Sequence, residues 1–150
     1  MMKKYIIAIF LLLPVYVNAQ TPGTLDSLKT LLETVYKNDQ EPRIELEKLI
    51  KQYGRNSAQV TAAWPGVAHL DSINLGIVKS VIDKYGWLSS RQTSPNANSA
   101  LFLTIQHANL KVQVKYLPVL KAAIAGGKAD PQDYALLSDR VNMFQNHYQV

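Results

Sequence analysis

From Ala100 to Ile105 the chain reads ALFLTI and is apolar on nearly every side. A helix without a polar face has to be surrounded by other elements, so this stretch predicts a central helix that the rest of the chain must wrap. The neighbouring segments suit that role. In TPGTLDSLKTLLETVYKND, Leu25, Leu28, Leu31, Leu32, Val35 and Tyr36 recur at helical spacing, with Thr24 as candidate N-cap. VAHLDSINLGIVKSVIDKYG is a long amphipathic helix closed by Gly86. Strong punctuation divides the remainder. Pro42 is expected to break or restart its helix, PRIELEKLIKQYG to stop at Gly54, and SAQVTAAW to end at Pro65. The central helix is expected to run through NSALFLTIQHANLKVQVKYL until Pro118 ends or kinks it, and VLKAAIAGG finishes on two glycines. Asp130, Pro131 and Asp133 then have the order of an N-cap, a first helical residue and a first-turn acid, opening a last helix from about Pro131 to Gln145. Strand-like alternation never lasts more than a few residues. The fold class that follows is all-α, a compact single-domain bundle of about six helices.

The chain opens MMKKYIIAIFLLLPVYVNAQ, with two lysines, an apolar run from Tyr5 to Val17 and small residues at Val17 and Ala19. This is the pattern of a secretory signal peptide over residues 1–19, cleaved after Ala19, with residues 20–150 as the domain. The run is too short for a comfortable membrane span, which takes about 20 apolar residues. A periplasmic or secreted location is therefore expected, with no membrane association after cleavage. The leader removes two lysines, so the net charge falls from +5 to +3. The remaining basic residues are scattered and form no nucleic-acid-binding signature. There is no cysteine, which removes disulfides and thiolate chemistry and leaves an ordinary apolar core to hold the domain.

Four helices place polar residues where that core should be. Asp39 follows the stripe Leu28, Leu32, Val35 and Tyr36, and Arg43 lies one turn further on. In the next long helix Asn74 falls near the middle of the face formed by Leu70, Ile73, Ile77, Val78, Val81, Ile82 and Tyr85, with Asp71 at its margin. His107 continues the stripe of Leu103, Leu110 and Val114, while Gln106 points nearer Phe102 and Leu117. In YALLSDRVNMF, Arg140 lies within the arc of Tyr134, Leu136, Leu137, Val141, Met143 and Phe144, and Asp139 sits at its edge. A buried charge has to pair or stay wet. The simplest solution is that these groups meet, Arg140 and Arg43 facing Asp39 and Asp71, with Asn74, Gln106 and His107 completing the hydrogen bonds.

DQEPR, DSIN, YGW, IQHA and YALLSDRV, in this order, resemble the pattern of a bacterial family catalogued as domain of unknown function 6624, over about Leu25 to Val150. The resemblance implies site importance for Asp39, Gln40 and Arg43, for Asp71 and Asn74, for Gly86 and Trp87, for Gln106 and His107, and for Asp139 and Arg140. Leu88 stands where the family pattern has proline after Gly-Trp. The pattern also implies a Q-x-Y-G-T-Q-like segment after the last helix. Gln149 and Val150 would begin that segment, so a C-terminally truncated chain is expected. No activity comes with the family.

Three readings of the polar residues stay open. In a hydrolase-like site, His107 with Asp39 or Asp71 would be a base and its orienting acid, the candidate catalytic residues, and Arg140 would hold an anionic or carbonyl oxygen. In a binding module, Arg43, Asn74, Gln106, Asp139 and Arg140 would line a pocket for a small polar or anionic ligand. In a structural role, the cluster is an internal salt-bridge network that fixes helix register. No metal and no cofactor are expected. The paired ligand spacing of H-E-x-x-H is missing, arginine opposes a cation, and no phosphate-binding glycine loop is present. Trp64 and Trp87 are expected to be buried at helix ends.

Overall fold

The computed structural model describes residues 22–147, with side chains from residue 23 to residue 145. The expected signal peptide and the expected start of a tail lie outside the described residues. Five α-helices follow one another: α1 Pro22–Tyr53, α2 Ala58–Tyr85, α3 Pro95–His107, α4 Leu110–Ala125 and α5 Pro131–His147. No strand occurs among the described residues. The all-α class is as expected, with five helices in place of about six. Of these helices, none is long and apolar enough to cross a membrane.

The difference in helix number comes from prolines that do not interrupt. Pro42 lies inside α1, Pro65 inside α2 and Pro118 inside α4. A proline inside a helix removes one N–H and strands the carbonyl four residues earlier, at a cost of about 3 kcal/mol. Pro65 and Pro118 are exposed, as are Thr61 and Val114, the residues whose carbonyls they free. Water can serve those carbonyls, and the apolar faces opposite continue uninterrupted. Trp64, on the same outer side, is 47% exposed and does not cap the core as expected. Trp87 does, at 3%.

One break arises where none was expected. The segment read as one central helix divides at Ala108 and Asn109. Asn109 adopts an extended backbone and its side-chain oxygen accepts from Val112 N at 3.1 Å, the geometry of an N-cap. Gln113, almost fully buried, then reaches back from α4 and donates Nε2 to the carbonyls of Gln106 and Ala108, both at 2.8 Å. Those carbonyls at the end of α3 would otherwise lack partners. The division also removes the continuous stripe from Leu103 through His107 to Val114, and Val114 is exposed.

α1 and α2 form a long antiparallel hairpin. It turns at Gly54, whose φ of 85° favours glycine, and restarts at Ser57, which accepts from Val60 N. Gly86, at φ 73°, ends α2 as expected. α3 packs on both long helices, and α4 carries the chain on to α5. The main core gathers Leu28, Leu32 and Val35 of α1, Val78, Val81 and Ile82 of α2, Leu101 and Ile105 of α3, Tyr116 and Leu120 of α4, and Leu137 of α5. α3 is thus central, as its composition demands. A second, smaller cluster of Leu46, Val60 and Val67 lies toward the Gly54 turn. On α5 the buried residues are Leu137 and Val141, whereas Leu136 and Met143 are exposed. Ile73 on α2 is likewise exposed. These three were expected on the inner faces, and the actual faces are narrower than the wheels suggested.

Candidate functional site

Between the two apolar clusters, α1, α2 and α3 contribute a layer of polar side chains. Because α1 continues without interruption through Pro42, Asp39 and Arg43 stand one turn apart on one face. Asp39 is the hub, only 2% exposed. Its Oδ1 lies 2.8 Å from Nδ1 of His107 at the last turn of α3, and its Oδ2 accepts from Nε2 of Gln40 at 2.7 Å. Nη2 of Arg43 lies 3.5 Å from the same Oδ1 and donates at 2.6 Å to Oδ1 of Asp71 on α2. Asp71, Arg43 and His107 form the outer side of the layer, with about a fifth to a quarter of each side chain accessible.

Burial pushes the Asp39 carboxyl up. The hydrogen bond and charge of His107, with Gln40 and Arg43, outweigh it and hold the carboxyl below the usual aspartate value. The carboxylate is an acceptor only, so Nδ1 of His107 must carry the hydrogen. In the neutral ring this leaves Nε2 with the lone pair. No partner for Nε2 occurs among the described residues.

A second row of polar groups lies deeper. Asn74, fully buried, has no hydrogen-bond partner for either Oδ1 or Nδ2. It is one turn along α2 from Asp71. Continuing the antiparallel register that sets Asp71 against Arg43 puts position 74 opposite the turn of α1 that carries Asp39 and Gln40. Thr104, one turn before His107 on α3, is 3% exposed and its hydroxyl is also unpartnered. Buried polar groups left in this way cost about 1–3 kcal/mol each, a cost that an ordered water or an ion can relieve.

Of the expected site residues, the structure therefore joins Asp39, Arg43, Asp71 and His107 directly and buries Asn74 one turn along α2 from Asp71. Arg140 is partly buried and its Nε has no partner; its guanidinium packs 5.5 Å from the centre of the Phe144 ring, and no ion pair links it to Asp39 or Asp71 among the described residues. Asp139 is exposed. Gln106 takes part through its carbonyl, as the acceptor for Gln113. Sequence reasoning missed Gln113 and the unpartnered hydroxyl of Thr104. A threonine fits an apolar face by its methyl group, so its hydroxyl left no signal. Gln113 was hidden by the assumption that the helix did not break.

The three atoms that Asp39, Asp71 and His107 can offer to a metal ion all lie within 4.8 Å of one another. The donor set is thus compatible with a cation as well as with acid–base chemistry. None of the described cavities is lined by these residues. Neither a curated protein nor a solved structure matches the chain. A family model does match, over residues 34–150, a span that contains the whole polar layer. The chain is a member of that family, the Family of unknown function DUF6624.

Proposed function

We propose that the polar layer is a small-molecule site with hydrolase-like acid–base capacity in an exported helical domain. The observation that carries this reading is the 2.8 Å contact between buried Asp39 and Nδ1 of His107, a ring that remains one-fifth accessible. A buried carboxylate on one nitrogen fixes the tautomer and steadies the imidazolium, so that the other nitrogen can take a proton from a water or hydroxyl and return it. Arg43, already turned toward two carboxylates, supplies the cation that would hold a carboxylate or a polarised carbonyl oxygen on the ligand. The leader-like N-terminus supports a periplasmic or secreted setting, in which small polar metabolites, peptide ends and sugars are the accessible ligands.

A thermal-shift screen of such compounds tests the reading. A hit should raise Tm for the parent chain, and His107→Ala should fold with little loss of stability and abolish the shift. Recovery of the compound chemically altered would make the site catalytic; recovery unaltered would make it a receptor site. A second reading, an internal lock, is favoured by the ion pairs and hydrogen bond that link Arg43, Asp71, Asp39 and His107 and by the lack of a described cavity lined by them. Under that reading His107→Ala loses several kcal/mol of stability, since it strips a buried carboxylate of its nearest partner, and no compound shifts Tm.

A further inference from the structure

We infer that the polar layer is a divalent-cation site in which the guanidinium of Arg43 occupies the cation's place. Three helices each supply one donor, Asp39 from α1, Asp71 from α2 and His107 from α3, and the donor atoms lie within 4.8 Å of one another. Metal–ligand distances of about 2.0–2.2 Å put donor atoms roughly 3.2–3.6 Å apart around a tetrahedral ion. An inward shift of about 1 Å by the rim carboxylate would therefore complete the geometry. Arg43 is where such an ion would be expected, with Nη2 2.6 Å from Asp71 and 3.5 Å from Asp39. Two carboxylates this close repel unless a positive charge lies between them, and in this structure Arg43 provides that charge. Its side chain is one-fifth exposed, so it has a route out to solvent.

The independent observation is Asn74. It is 0% exposed, it stands one turn along α2 from Asp71, and neither amide atom has a partner. The guanidinium satisfies the carboxylates but does nothing for this carboxamide. An ion held between Asp39 and Asp71 would take the Asn74 oxygen as its fourth ligand and remove a buried unpaired acceptor at the same step. One imidazole with three oxygen donors suits first-row divalent ions such as Zn²⁺ or Mn²⁺ better than Mg²⁺, which keeps most of its water. The cation would occupy the groups assigned to acid–base work, so the metal-bound form would be closed to the small ligand proposed above. The inference itself needs no substrate.

Titration calorimetry of the purified full chain with Zn²⁺, Mn²⁺ and Mg²⁺, each as the metal alone, tests it. One saturable site per chain is expected for Zn²⁺ and Mn²⁺ and none for Mg²⁺. Arg43→Gln should tighten the site at least tenfold, because it removes the competing charge. Asp71→Asn should weaken it at least tenfold, and Asn74→Ala should do so more modestly. Circular dichroism of each variant confirms the helical fold, and Asp71 is at the rim, so its variant should retain it. If neither the parent nor Arg43→Gln shows a saturable site, the inference is overturned. It is equally overturned if Zn²⁺ binds but Asp71→Asn and Arg43→Gln leave the affinity unchanged, since the ion then sits elsewhere.

Discussion

The α1–α2 hairpin has two unlike ends. Toward the start of α1 its inner face is covered by α3, and the main core there draws buried residues from all five helices. Toward the Gly54 turn, the cluster of Leu46, Val60 and Val67 is built from α1 and α2 alone. Ile44, Tyr53 and Trp64 on this arm are about half exposed. The polar layer lies at the change from one regime to the other, where α3 stops at His107. Deeper in the core, a charged group would be sealed and too costly; further out on the arm it would be fully wet and weakly positioned. At the junction Asp39 is buried while Arg43, Asp71 and His107 keep a face to water. The end of one helix thus creates a place where charge can be both held and reached.

The comparison can be broken by cutting the same side chain at both ends of α1. Leu32→Ala, in the main core, should cost about 4 kcal/mol in urea unfolding, near the upper part of the range for buried leucines. Leu46→Ala, where two helices can settle toward each other, should cost about 2 kcal/mol. Equal losses would mean that the arm is held as firmly as the body. Between them stands the junction. Asp39→Ala should cost about 3 kcal/mol, because it strips His107 and Gln40 of a buried acceptor and Arg43 of one of its two carboxylates; a loss under about 1 kcal/mol would show that the layer contributes no fixed geometry. Amide exchange sharpens the contrast without mutation, since backbone amides of residues 44–53 and 58–67 should open at lower free energy than those of α3.

The smallest expected effect lies at the far end of the body. Burial, with Asp130 beside it, pushes Asp133 up to about 6, even though it stands in the first turn of α5. An acid with a raised folded pKa favours the folded state while protonated. Stability should therefore fall as pH rises from about 4 to about 6 and stay lower above that. Asp133→Asn should recover about 1 kcal/mol at neutral pH, after allowance for partial exposure. It should leave the acid side unchanged. A pH scan of thermal unfolding for the two proteins distinguishes this from a uniform shift.

The junction was largely legible in the sequence because it violates the local pattern. Asp39, Asn74 and His107 interrupt apolar stripes, and each is found at or beside the buried layer. The helix class was legible for the opposite reason, since ALFLTI and the long stripes obey the pattern. The boundaries failed where two local rules competed. Pro42, Pro65 and Pro118 are helix breakers by intrinsic preference, yet burial of the opposite face outweighed the lost hydrogen bond. Asn109 is unremarkable within an apolar run, yet its capping geometry won over continued periodicity. Arg140 shows the limit of the wheel, which gives a direction from one axis but not the partner on another. It lies on the inner arc as expected, and the aromatic contact it makes is with Phe144 on its own helix.

The amide of Gln113 gives that boundary a mechanical meaning. By gripping two carbonyls at the last turn of α3, it makes the seat of the imidazole depend on where α4 begins. A displacement of α4 along its axis would be transmitted through this grip to His107 as through a short lever, so that the start of one helix retunes a ring at the end of another.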